Sequence, residues 1–333
     1  MFLYIAFLLG LVLLVVAFAA GYRLKAKRAR RREKRLVQAA LSSFDNVGLP
    51  RGESQNQEID PRQRAWDAQV TLALLTTDSS LCRHIDVGGT SAERLALIEH
   101  TRKVWYNYGK KDPFFSVLTD DKFKLEAMTA EAEQEFYDSG AWDAETLFKA
   151  CERNGLIPGV GGTIVDFGCG LGRIGEHLAK KFERYVGVDI SRSHLNRAEA
   201  RMSINGLRNV RFMLLSEYLD NLVPADVIFS FIVLQHNPPP IIAMLLDRLC
   251  STLRPGGVAY FQVPTALFDY EFRLSDYLKA PPSHGGMEMH ALPQHEVFKI
   301  LERNRCFPSE VVPDGKAGSL GISTTFLARK AAS

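Results

Sequence analysis

Hydrophobic and polar residues change rhythm three times along this chain. From Phe2 to Ala20 no side chain is charged or strongly polar. At about 1.5 Å per residue such a helix reaches close to 30 Å, the hydrocarbon thickness of a bilayer. A buried core helix would be amphipathic, and this run is apolar all round. Leu36 to Leu41 extends the same helix as a stalk. From Ser42 to Asp60 apolar anchors are sparse among Gly, Pro and polar residues, a linker composition. Helical spacing begins near Pro61. Thr90-Ser91-Ala92-Glu93 has the form of a capping box, with Leu95, Ile98 and Trp105 at helical intervals behind it and Gly109 as the expected stop. Asp112-Pro113 breaks the chain. Further helices are predicted from about 121 and over 143–154, the latter stopped by Gly155 and Pro158.

After Gly162 the period shortens. Short apolar runs with β-branched residues fall at 163–167, 184–189, 210–214, 226–230 and 258–263. Helical stretches at 173–181, 193–205 and 241–253 separate most of them. A helix at 294–304 precedes two late strands, near 310–312 and 322–328. This alternation predicts an α/β fold: a doubly wound, mostly parallel, seven-stranded sheet with helices on both faces. The expected organisation is a transmembrane helix over 1–22, a basic stalk and linker over 23–60, a helical cap over 61–158, and the α/β domain over 159–330. No internal repeat is visible.

Charge sharpens the N-terminal reading. Nine Lys or Arg crowd 23–35 against one acid, which leaves 32 basic and 37 acidic residues elsewhere. The basic balance therefore belongs to a stalk, and no nucleic-acid partner is expected. Positive flanks stay on the cytoplasmic side, so the span predicts a single-pass inner-membrane protein with its catalytic domain in the cytoplasm. A cleaved signal peptide competes, because Ala17-Phe18-Ala19 has the small-x-small form. That reading requires positive charge ahead of the apolar run, and Phe2 to Tyr4 carry none. The basic stalk would attract anionic membrane lipids, or serve only to fix topology. Five dispersed cysteines form no metal spacing and fit reduced thiols.

The strongest chemical signal is Asp166-Phe167-Gly168-Cys169-Gly170-Leu171-Gly172, between a predicted strand and helix. Glycines there allow a tight turn and close approach to a ligand. Asp189 closes the next strand, at the spacing from which a carboxylate grips ribose hydroxyls. A dinucleotide loop needs its third glycine at 173, where this chain has Arg173. Phosphate would also be repelled by Asp166. S-adenosylmethionine is cationic and carries no phosphate, so an acid beside the loop suits it.

The segment 164–191 resembles the first two motifs of the class I S-adenosylmethionine-dependent methyltransferases. Pro224-Ala225-Asp226-Val227-Ile228-Phe229-Ser230 resembles their fourth-strand motif, and Leu253-Arg254-Pro255-Gly256-Gly257 the turn before the fifth strand. The resemblance covers about 160–265. It implies that Gly168 and Gly170, with Cys169 and Gly172 in the same loop, line the methionine part of S-adenosylmethionine, with Asp166 near its amino group. It also implies Asp189 on the ribose and Ile190 on the adenine. The acid that the family often places after the third strand is replaced by Ser216, followed by Glu217. Cys169 reads as a small residue for a crowded loop.

Methyl transfer to a hydroxyl needs a base near neutrality, a task suited to histidine. His236 lies just beyond the fourth strand, at the sheet edge where ligands bind in open parallel sheets; the alternative is that it only orders the loop before Pro238-Pro239-Pro240. His290, ahead of the late helix, is a second candidate. His177 and His194 read as surface or packing residues. The aromatic-polar segment 105–116 suits a sugar or ring acceptor, and equally a cap on the cofactor. Its sequel 112–119 resembles a segment of bacterial methyltransferases linked to glycan biosynthesis. The stretch 265–288 is long enough to wall a substrate site. These features predict a membrane-anchored methyltransferase acting on a saccharide or lipid-linked glycan hydroxyl. The alternatives are a lipid or isoprenoid small-molecule acceptor, or a scaffold that binds the cofactor without turnover.

Overall fold

The computed structural model describes residues 83–159, 161–282 and 286–332. The chain divides into two units, Met1–Thr77 and Asp78–Ser333, and every described residue belongs to the second. The apolar run 2–20, the basic stretch 23–35, the linker and Cys82 lie outside the described residues. The expected localisation needs correction. Among the described residues no helix is long and apolar enough to cross a membrane, so the single-pass inner-membrane placement is withdrawn.

In chain order the elements are α1 (Ser91–Lys111), short 3-10 turns at Asp121–Phe123 and Leu125–Ala127, α2 (Ala130–Asp138), α3 (Gly140–Arg153), β1 (Thr163–Phe167), α4 (Gly175–Ala179), β2 (Arg184–Asp189), α5 (Arg192–Ile204), β3 (Val210–Leu214), α6 (Leu215–Asp220), β4 (Ala225–Ser230), a 3-10 turn Leu234–His236, α7 (Pro239–Thr252), β5 (Leu253–Leu267), α8 (Leu274–Lys279), α9 (Gln294–Arg303), β6 (Cys306–Pro313) and β7 (Gly321–Lys330). The sheet order is β3-β2-β1-β4-β5-β7-β6. Only β7 runs against its neighbours β5 and β6; the remaining pairs are parallel. The order reverses between β1 and β4, which places the ligand crevice above their carboxyl ends.

Every residue of β1 is buried, as expected of a central strand covered on both faces. Val165 and Ile228 face one layer, with Ile241, Leu245 and Leu249 of α7 and Val297, Ile300 and Leu301 of α9. Ile164, Val227 and Phe229 face the other, with Leu147 and Cys151 of α3 and Leu178 of α4. A third cluster forms the cap, where Phe114, Phe123, Phe136 and Tyr137 close over Leu171 of the glycine loop. Phe136 is fully buried there, worth about 1.5–3 kcal/mol in transfer free energy.

The capping box is present: the Thr90 hydroxyl accepts from the Glu93 amide, and the Glu93 carboxylate accepts from the Thr90 amide at 2.7 Å. Gly109 does not end α1. It allows a close crossing instead, because a Cβ there would lie 2.3 Å from Ser193 Oγ. The expected helix 173–181 is only Gly175–Ala179, since the glycine loop consumes its start. β5 is much longer than the apolar run 258–263, because β7 pairs along it out to Leu267.

Candidate functional site

β1 delivers the chain to a loop whose amides at Gly168 and Cys169 both donate to the Val188 carbonyl of β2, at 2.7 and 3.0 Å. This folds the loop over the crevice. Gly168 has φ +79°, and a Cβ on it would sit 2.3 Å from the Val233 methyl groups. No other residue fits that position. Gly172, at φ +76°, faces Met202 and Ala198 of α5. It is a packing glycine and does not line the crevice, contrary to the expectation for it. The crevice is a cavity of about 450 Å³ whose walls include Asp166, Gly168, Cys169, Gly170, Asp189, Ile190 and His236.

Two carboxylates control the cavity's charge. Asp166 is almost fully buried and accepts from the Tyr185 hydroxyl at 2.7 Å. Burial pushes its carboxyl up to about 7, against the pull of the Tyr185 hydrogen bond. Asp189 accepts from the Gly170 amide at 2.9 Å and from the Ser191 amide at 2.8 Å. It thereby ties the glycine loop to the end of β2. Burial raises the Cys169 thiol well above its ordinary range, so it stays protonated and serves as a small wall residue.

Arg173 and His194 also line the cavity, and sequence reasoning had not placed either of them there. Arg173 is buried and paired with Asp143 of α3. His194, on α5, is buried; its Nε2 lies 3.0 Å from the Ser116 hydroxyl of the cap segment, and its Nδ1 lies 3.8 Å from Asp189 Oδ1. Among the described residues, Arg173 Nε and His194 Nδ1 have no hydrogen-bond partner. Buried polar atoms of this kind call for a polar ligand or solvent. The donor set fits S-adenosylmethionine. Asp166 suits its amino group, Asp189 its ribose, and Arg173 Nε its carboxylate. Arg173 is already neutralised by Asp143.

Beyond β4, the 3-10 turn places His236 in the cavity wall. Its Nδ1 donates to the Glu288 carbonyl at 2.9 Å, which leaves Nε2 as the lone-pair nitrogen. Burial lowers its pKa, only partly opposed by that hydrogen bond, so the ring is neutral near pH 7. Trp105 packs edge-on against it, ring centroids 5.2 Å apart. His290 is placed differently from expectation. It is buried behind His236, outside the cavity's lining, with Nε2 on Glu288 at 3.1 Å and Nδ1 on the Tyr270 hydroxyl at 2.7 Å. His290 faces these partners and not the cavity, so it is not placed to act as the base.

Ser216 and Glu217 are also displaced from their expected role. They sit in α6, and the cavity is lined by Leu215 instead. Glu217 accepts from the Leu214 amide and from Arg192, at 3.0 and 2.8 Å. In the segment 105–116, Trp105 faces the cavity, Phe114 is buried in the cap cluster, and Ser116 holds His194. The segment therefore serves the cavity, through Trp105 and Ser116, as well as the cap, through Phe114. Met287 and Met289, from the long stretch after β5, complete the wall with Phe229, Phe231 and Lys316. Among the described residues no group of His, Cys, Asp and Glu is arranged to hold a metal ion.

Sheet order, glycine loop and acid pair define a nucleoside-binding α/β domain, and the comparisons name its class. Residues 164–257 match the family described as a methyltransferase domain, and S-adenosylmethionine is the cofactor that match implies. The chain is 30% identical over 132 residues to a ubiquinone biosynthesis O-methyltransferase of Stutzerimonas stutzeri, covering 36% of this chain and 56% of that one. It is 34% identical over 121 residues to a trans-aconitate 2-methyltransferase of Methylobacterium nodulans, covering 36% and 45%. The chain thus spans about half the length of these curated relatives. Among solved structures, magnesium protoporphyrin IX methyltransferase of Synechocystis PCC 6803 superposes with TM-score 0.48 and 16% identity, over 69% of this chain and all of that one.

Proposed function

We propose that this chain transfers a methyl group from S-adenosylmethionine to a hydroxyl oxygen on a small, ring-bearing, largely apolar acceptor. The observation that carries this reading is the fixed tautomer of His236, whose Nδ1–H is held by a backbone carbonyl. A neutral imidazole whose unprotonated Nε2 is met only at 3.4 Å by the Gln235 amide can take a hydroxyl proton once the acceptor displaces that contact. When bound, S-adenosylmethionine supplies a methyl group on a sulfonium, already a good leaving group. The chain's own residues then do three things. Asp166 and Asp189 hold the amino and ribose ends, the apolar wall excludes water, and His236 Nε2 receives the acceptor's proton. Holding the two reactants in line accounts for much of the rate.

The acceptor class follows from the wall around His236. Trp105, Phe229, Phe231, Met287 and Met289 present apolar surface with few hydrogen-bonding groups, which suits a flat ring better than a polyhydroxylated sugar. Part of the glycan reading rested on the segment 105–116, which brings only Trp105 and Ser116 to the cavity. The relatives named for ubiquinone biosynthesis are O-methyltransferases by name, in line with an oxygen acceptor. The isoprenoid or lipid-like small molecule is therefore the favoured form, ahead of the saccharide.

Incubation with tritium-labelled S-adenosylmethionine and fractionated host extracts tests this. Label is expected in a compound that partitions into organic solvent. Label confined to a water-soluble glycan would overturn the acceptor class, and cofactor binding without transfer to any fraction would establish the scaffold alternative. His236→Gln should lower the transfer rate about 100-fold or more while leaving adenosylhomocysteine affinity unchanged.

A further inference from the structure

Glu288 is the hub of a cluster that the reaction itself does not use. Its carboxylate accepts from His100 Nε2 of α1 at 3.1 Å, from the Tyr277 hydroxyl of α8 at 3.0 and 3.1 Å, and from His290 Nε2 at 3.1 Å. The Tyr270 hydroxyl closes the far side of His290 at 2.7 Å. His100, 188 positions away in α1, thus meets Tyr277 and the neighbouring His290 on one carboxylate. Glu288 does not line the cofactor cavity, so no direct contact with reactants explains the investment. The chain around it is tied to the turn that carries His236, because the His290 amide donates to the Gln235 carbonyl at 2.8 Å. The Glu288 carbonyl is in turn the group that takes the Nδ1 proton of His236.

A second chain of hydrogen bonds fixes the opposite nitrogen. Gln262, fully buried in β5, donates to Gln235 Oε1 at 3.0 Å and to Ser323 Oγ at 2.5 Å. That orients the Gln235 amide so that its NH₂ group faces His236 Nε2, 3.4 Å away. A donor aimed at Nε2 and an acceptor at Nδ1 specify the same tautomer. The Gln262 branch is buried in the sheet; the Glu288 branch combines three side-chain donors with the backbone bond from His290 to Gln235.

The geometry points to Glu288 as the positioning residue for His236: its carboxylate, locked by His100, Tyr277 and His290, fixes the backbone carbonyl that keeps Nδ1 protonated and Nε2 unprotonated. This deepens the reading of His236 as the base and takes only its catalytic meaning from that reading. Glu288→Gln keeps the side chain's shape but gives three donors an amide in place of a carboxylate. The segment then loses its anchor, and the carbonyl its position.

The test is nitrogen-15 spectroscopy of histidine-labelled full chain, with the His236 ring signals assigned by their loss in His236→Gln. Wild type should show the Nδ1-protonated tautomer. Glu288→Gln should show a mixture of tautomers and a transfer rate lower by about tenfold or more, with adenosylhomocysteine affinity within about twofold. If Glu288→Gln fails to bind adenosylhomocysteine, Tyr277→Phe, which removes one donor and leaves the carboxylate, carries the same measurement. Persistence of the Nδ1-protonated form in the variant that binds would overturn the assignment. A tautomer that shifts while His236→Gln retains full transfer keeps the positioning role and removes the base.

Discussion

Lowering the pH from about 7.5 to about 5.5 should weaken S-adenosylmethionine binding about 25-fold through Asp166 alone. The carboxyl is almost fully buried, and burial lifts its pKa to about 7. Protonated, it offers no charge to a cationic ligand. If the complex requires it ionised, the apparent affinity is divided by one plus the ratio of protonated to ionised forms. That divisor is about 1.3 at pH 7.5 and about 33 at pH 5.5. Calorimetric titration at both pH values, in buffers of different ionisation enthalpy, reads the affinity and the proton released on binding. Asp166→Asn should bind more weakly at pH 7.5 and lose most of the pH dependence. His194 and His236 share the cavity wall, and the Asn variant separates their contribution. A wild-type affinity flat across this range, or an equal slope in Asp166→Asn, would refute the reasoning. The sign for the unliganded fold is opposite. The folded chain keeps a proton that the unfolded chain releases above its ordinary value of 3.8. This group's contribution to stability therefore falls as pH rises from about 4 to about 7.

Two further outcomes follow from packing. Gly168→Ala should cost about 1–2 kcal/mol of backbone strain at its left-handed φ, plus about 1–3 kcal/mol for displacing Val233, read as a lower denaturant midpoint. Adding Val233→Ala should recover part of the second term and none of the first. Phe136→Ala should lower the unfolding free energy by about 3–5 kcal/mol, because the fully buried ring is the centre of the cap cluster. Urea titration measures it, and a loss below 1 kcal/mol would mean that the cap contributes little to the cooperative fold.

The sheet was legible because β1 and β2 are buried on both faces and appear as short, largely apolar runs; the edge strand β3, though only partly buried, also matches a stretch at which the chain's period shortens. Asp166, Gly168, Gly170 and Asp189 were legible because a turn between strand and helix fixes their mutual placement locally. What escaped the sequence is tertiary. Glu217 looks like a cofactor acid by counting from β3, yet the short helix α6 turns it onto its own N-terminus and Arg192. His194 reads as a surface or packing residue of its helix, and its place in the cavity wall emerges only when the cap brings Ser116 to it from 78 positions away. Glu288 gave no signal of its role, since one of its donors, His100, comes from 188 positions away and the link to His236 runs through its own carbonyl. Gly109 was recognised as special for the wrong reason; in sequence a helix stop and a close crossing look alike.

Gly140 at the start of α3 comes so near the Arg173 carbonyl that a Cβ there would lie 2.1 Å from it, while Asp143 and Ser139 hold the Arg173 guanidinium. The rear of the nucleoside loop is thus built from residues more than thirty positions upstream. Recombinant fragments that begin at the first strand, where a family boundary invites the cut, would strip Leu171 of its cover and strand an arginine without its counter-ion. Workable expression clones must start ahead of α1.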